Sequence, residues 1–202
     1  MKKYLTVASL VCLPIGTYFY HGFHKDYPII EKQIPRQAFV YTQHYDAPSK
    51  LNNTLKIIEQ DFRILKSKLV NPQLAVIYYD DPVTSKETKK QRIVAGIFCD
   101  TINADLAEEF VKIRPNFELR IIPDHKTVAT TLPFKSSSIS TFWVHRIIHP
   151  KIWSYFVNHG YDKEISSPYI MNVINDEDQT CEVRVPYGEN SDCLLVSKAR
   201  RS

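Results

Sequence analysis

Leu74-Ala-Val-Ile-Tyr-Tyr79, closed by Asp80-Asp81-Pro82, and Ser167-Pro-Tyr-Ile-Met-Asn-Val-Ile174, closed by Asn175-Asp-Glu-Asp178, decide the fold. Each is a short β-branched and aromatic run ended by an acidic turn, and each is answered by a second such run, Arg92 to Phe98 and Thr180 to Val185. That is the signature of a strand pair. Each pair is preceded by a helical stripe. In the first half Leu51, Leu55, Ile58, Phe62, Leu65 and Leu69 recur at three- or four-residue spacing. In the second half Ile139, Phe142, Trp143, Ile147 and Ile148 do so. The second helix starts after the capping hydroxyls of Ser136, Ser137 and Ser138, continues through Pro150 to Val157, and stops at Gly160. Ahead of the helices stand the strands Ala38 to Tyr45 and Thr127 to Leu132. The halves superpose at an offset of about ninety residues, with Val40 near Val128, Tyr79 near Ile174 and Val94 near Val183. Between them lie a helix with Leu106, Phe110 and Ile113 on its apolar face and a strand from Phe117 to Ile122. The predicted class is α+β: a duplicated strand–helix–strand–strand unit sharing one sheet, helices over one face, and a cleft along the pseudo-twofold.

Composition narrows the function. The chain has 202 residues, 44% apolar and 24% charged, enough for one ordinary core. Five glycines and no GxGxxG or GxxxxGK[ST] exclude the usual phosphate cradles. Net charge is 26 − 22 = +4, and the one basic cluster, Lys86, Lys89, Lys90 and Arg92, reads as a solvated loop, so no direct nucleic-acid contact is expected. Cys12, Cys99, Cys181 and Cys193 form no CxxC pair, so neither metal nor other cofactor is expected. His145 and His149 stand four apart on a helix but lack a third ligand, and read as partly exposed structural residues. No nucleophile–base pair is evident, so the chain is not expected to be an enzyme.

Tyr4 to His24 carries no Lys, Arg, Asp or Glu, and residues 1–24 read as a transmembrane anchor. A cleaved signal peptide and a core element are the competing readings. Residues 25–36, with Pro28 and Pro35, read as a linker, 37–190 as the folded domain, and 191–202 as a short basic tail.

The layout resembles the GyrI-like fold. Asn158-His-Gly-Tyr161, Ser167-Pro-Tyr-Ile170 and Cys181-Glu-Val-Arg-Val-Pro186 are similar to that family's closing motif. Leu74 to Pro82, Thr130-Thr-Leu-Pro-Phe134, Ser140-Thr-Phe-Trp143 and Arg146-Ile-Ile-His-Pro150 resemble the testis-expressed, membrane-anchored branch, an ER-phagy receptor type. The resemblance implies a single-pass anchor in the endoplasmic reticulum membrane, a cytosolic body, and a role as adaptor or receptor in reticulophagy. It implies ER lipid, ubiquitin-like autophagy modifiers and a AAA+ segregase as partners. The acidic, serine-rich tail that carries the family's modifier-binding motif has no counterpart in this sequence. Among the remaining matches Tyr27 and Ile30 are the expected anchors, for weak binding at most. The alternative function is a small-molecule-binding module for a cationic or amphiphilic ligand. There Glu182 faces the cleft between Tyr41, Tyr79, Trp143 and Tyr169; the competing reading puts Glu182 on a solvent face and Trp143 in the core.

Overall fold

The computed structural model describes residues 16, 18, 19, 22, 24–46, 56, 60, 63, 67–79, 91–134, 141, 143–163, 169–175 and 177–194. Eight strands form one sheet: β1 (Ile30–Ile34), β2 (Gln37–Asp46), β3 (Gln73–Tyr78), β4 (Gln91–Asp100), β5 (Glu118–Ile122), β6 (His125–Pro133), β7 (Ile170–Asn175) and β8 (Thr180–Tyr187). Their spatial order is β1-β6-β8-β7-β3-β4-β2-β5, and every neighbouring pair is antiparallel. The duplication is visible in that order, because β6-β8-β7 mirrors β3-β4-β2. The halves join along β7 and β3, with Leu74 against Ile174 and Tyr78 against Ile170.

The alternation of side chains along each strand sorts them onto two faces. Val40, Val76, Tyr78, Ile93, Ala95 and Ile97 point to one face and pack with Ala107 and Phe117. Val128, Val183 and Val185 point the same way and pack with Ile148, Ile152 and Phe156. Burying side chains of this size stabilises by roughly 1.5–3 kcal/mol each, so this helix-covered face holds most of the fold together. The expected pairing of halves holds for Val40 and Val128, which share the face. Val94 and Val183 fall on opposite faces, a slip of one residue, because strand periodicity flips a side chain with each step.

Helix α1 (Ala104–Ile113) follows a 3-10 turn at Thr101–Asn103. Asp100 caps that turn by accepting from the Ile102 N–H. Its core face is Ala107, Phe110 and Val111. Leu106 and Ile113, expected inside, are exposed, Ile113 at 76%. Helix α2 (His149–Asn158) is entered through a π turn at Val144–Ile148, holds Pro150 in its first turn, and is followed by Gly160 at φ +78°. These last two features are as the sequence implied. Most of the first expected helix, and the loop at residues 80–82, lie outside the described residues. Lys56, Gln60 and Arg63 are helical and exposed, and Leu69 is buried.

Two boundaries differ from the sequence reading. Residues 25–36 are no simple linker, because Ile30 to Ile34 pair with Ala129 to His125 as an edge strand. Glu31 fastens that strand, accepting from Tyr161 at 2.6 Å, Tyr187 at 3.0 Å and Tyr155 at 3.4 Å. Nor is 191–202 simply a tail: Ser191–Leu194 forms a 3-10 turn with Ser191 and Leu194 buried. Among the described residues no helix is long and apolar enough to cross a membrane. Residues 1–15, which hold most of the expected anchor, lie outside them.

Candidate functional site

The face of the sheet opposite α1 and α2 carries Phe39, Tyr41, Ala75, Ile77, Val94, Phe98 and Ile122 from the first half and Met171 and Val173 from the second. Phe39 stacks on Phe98 at 4.2 Å between ring centres and on Tyr41 at 5.2 Å. Gly96 makes room for this row. A Cβ there would stand 2.2 Å from the Val40 carbonyl oxygen and 2.8 Å from the Phe39 ring. Only a glycine lets those rings lie across β4.

The predicted site residues separate. Tyr41, Tyr79 and Tyr169 all belong to this apolar face, and Tyr79 meets Tyr169 at 5.7 Å. Tyr41 donates to Glu118 at 2.6 Å; burial, then that carboxylate, pushes its hydroxyl up to about 12. Glu182 lies opposite Val173 across β7 and β8, on the same face. Trp143 does not join them. It packs on the helix side with Tyr18, at 5.4 Å, so the sheet separates it from the other four.

Glu182 is already partnered. Lys32 donates to it at 2.5 Å, Arg184 donates through Nε, and Thr131 donates at 3.2 Å. Arg184 is only 6% exposed. Burial alone would raise the Glu182 carboxyl; Arg184 and Lys32 outweigh it and hold it below the usual carboxylate value. His125 adds a buried ring on β6. Its Nδ1 meets the Pro123 carbonyl at 3.0 Å, its Nε2 has no partner, and burial followed by the Arg184 charge lowers its pKa. The polar end of this face therefore sets two cations against one carboxylate. The sequence offered one clue to it, since Arg184 stands two residues from Glu182 and so shares its face. Lys32 is 150 positions away and arrives only through β1.

On the helix side His145 and His149 stack at 4.6 Å, with Tyr78 edge-on to both. His149 meets Asn172 at 2.9 Å. The pair was expected to be partly exposed; His149 is fully buried, and its Nδ1 and the Nε2 of His145 have no partner. Burial lowers His149 to about 4, and burial with the His149 charge lowers His145 to about 3. Among the described residues no three His, Cys, Asp or Glu side chains are grouped to hold a metal.

The expected partner anchors are otherwise engaged. The Tyr27 ring packs on the helix-side core and its hydroxyl donates to the Gly22 carbonyl at 2.8 Å. Ile30 is exposed but sits in β1 opposite Ala129.

No family model and no curated protein matches the chain. Solved structures do. EcmrR in a complex with DNA is 14% identical, with 92% of this chain and 67% of that one covered, at a TM-score of 0.52. The EcmrR C-terminal domain alone gives 12%, 81%, 98% and 0.47. SAV2435 bound to tetraphenylphosphonium gives 10%, 82%, 95% and 0.48. The first of these defines the class: an α+β protein of GyrI-like fold. It also corrects the expected partners. A protein sharing this fold is found in a DNA complex, against the expectation of no nucleic-acid link. ER lipid, the autophagy modifiers and the segregase find no counterpart among these structures, and those partners are set aside.

Proposed function

We propose that this chain is a small-molecule-binding module whose ligand lies on the face of the sheet opposite α1 and α2, across the seam between β3 and β7. The observation that carries this reading is the composition of that face. An aromatic row of Phe39, Tyr41 and Phe98 from one half runs toward a polar group of half-buried Lys32 and Glu182 and buried Arg184 at the other end. Small-molecule sites have this character, mostly apolar walls with a few placed polar groups. The ligand is an amphiphile with a ring-bearing or aliphatic body. Its head is anionic or neutral, because Glu182 is already neutralised and one cation is in excess. A cationic head would meet Lys32 and Arg184 before it met a free carboxylate.

Decanoate and decyltrimethylammonium test this directly, having the same chain and opposite heads. In a thermal-shift titration of the full chain, binding raises the melting point by mass action, the equivalent of ~2.7 kcal/mol at a hundred times Kd. Decanoate is expected to stabilise more than the ammonium. A larger effect from the ammonium would overturn the head-group assignment. A flat response to both up to millimolar concentration would remove the ligand reading.

A further inference from the structure

After Tyr187 the chain turns back over the proposed ligand face. Gly188 at φ +69° and Asn190 at φ +64° make the turn, and Asn190 donates to the Asp124 carbonyl at 3.0 Å. The next residues are held by their main-chain carbonyls. Tyr169 donates to Ser191 O at 2.8 Å, Arg120 to Cys193 O at 3.0 Å, and Tyr79 to Leu194 O at 2.5 Å. The three donors come from β5, from the end of β3 and from the approach to β7, so the segment spans both halves. Leu194 is 2% exposed and packs in the same cluster as Phe39, Phe98, Ile77 and Met171.

We propose that residues 188–194 are the resident occupant of the ligand site, and that a ligand enters by displacing them. This rests on the reading of that face as a ligand site. Two features make the segment a removable occupant rather than a fixed part of the core. Its own backbone bonds are short-range, Ser191 N to Gly188 O and Cys193 N to Asn190 O, and it pairs with no strand. Releasing it breaks no ladder bond, and units of this kind open at the low end of a protein's stability range. The tyrosine hydroxyls and Arg120 guanidinium that it leaves are donors, matched to a ligand that brings acceptors. Leu194 fills the space an aliphatic body would take. Closed occupancy then weakens ligand binding by the fraction of molecules in which the site is open.

The test compares the full chain with its Leu194→Ser variant, using decanoate as probe. Leu194→Ala serves if serine costs too much stability, as judged by a cooperative melt. The expected result is about tenfold tighter decanoate binding to the variant, since the open fraction rises. In the parent chain, saturation with decanoate should speed hydrogen exchange at the amides of residues 188–194. Binding to the parent with unchanged or slower exchange there, and no gain in the variant, overturns displacement while leaving the ligand reading standing. Binding to the variant alone supports a strongly closed site. No binding to either overturns the ligand reading, and this inference with it.

Discussion

Lowering the pH from 6.5 to 5 removes stability through His145 and His149. In the folded chain burial holds them at about 3 and about 4, both neutral. In the unfolded chain each returns to roughly 6.5. A depressed folded value means that the unfolded state binds more protons throughout that window. The stabilisation is whole above pH 6.5, falls as pH drops, and levels off once the folded pair itself protonates below about pH 4. The limiting slope is about 1.4 kcal/mol per pH unit for each ring and is half developed at pH 6.5, so two rings over 1.5 units remove about 3 kcal/mol. That is a large share of the 5–15 kcal/mol typical of a domain. Urea unfolding at pH 7.5, 6.5, 5.5 and 5.0 measures it. The His145→Phe/His149→Gln double variant removes the titration, and the glutamine amide can still donate to Asn172. The variant should keep most of its stability at pH 5, with His125, lowered in the same direction, supplying a residual slope. Identical pH slopes for parent and variant would refute the reasoning.

Gly96→Ala should destabilise at or above the upper end of the roughly 1–3 kcal/mol usual for overpacking, because the nearest obstacle is backbone at 2.2 Å; chemical denaturation reads it. Glu182→Gln strips the carboxylate from Lys32 and a nearly buried Arg184 and should lower stability by about 3 kcal/mol at pH 7. The parent's advantage should fade as pH falls through the lowered Glu182 value, so parent and variant curves that stay parallel to pH 3 would refute the ion-pair account. Glu31→Ala should speed hydrogen exchange in β1, with Glu31→Gln intermediate, and leave β3 and β7 protected; unchanged exchange over residues 30–34 would show that backbone pairing alone holds the strand.

The seven strands β2 to β8 were legible because each couples β-branched or aromatic composition to turn residues, and for six of them the duplication repeated that coupling. What escaped was held by distant partners. Ile30-Glu-Lys-Gln-Ile34 has no strong strand signature; its order comes from β6 on one side and from Tyr155, Tyr161 and Tyr187 meeting Glu31. Ser191-Asp-Cys-Leu194 fell within the expected short basic tail; its order comes from three distant donors, Tyr169, Arg120 and Tyr79, and from burial of Leu194. In α1 the expected stripe of Leu106, Phe110 and Ile113 was rotated by about one position, since Ala107 is too small to register as apolar yet sits deepest. For the site, the expectation grouped Glu182 with Tyr41, Tyr79, Tyr169 and Trp143; the first four share a face and Trp143 does not. It did not supply the charges around Glu182; the proposed anionic or neutral head, which reverses the expected cationic one, rests on them.

That reversal follows from how the two halves diverged. Equivalent strands present different chemistry to the same face. Where β2 offers Phe39 and Tyr41, β6 offers Thr127, Ala129 and Thr131. Where β4 offers Val94 and Phe98, β8 offers Glu182 and Arg184. The inner strands stay apolar in both, with Ala75 and Ile77 meeting Val173 and Met171 across the seam. A symmetric duplication would have made a cleft with two like ends, suited to a symmetric occupant. Here one end is an aromatic row edged by Glu118 and Arg120, and the other is the ion cluster of Lys32, Glu182 and a buried Arg184, so the face has a direction along the sheet. A molecule lying across it gains from burying an apolar body at one end only if its other end satisfies Lys32 and Arg184. On the proposed reading this polarity would favour an amphiphile over a plain hydrocarbon, because an apolar group set against Arg184 would bury a charge without returning a hydrogen bond.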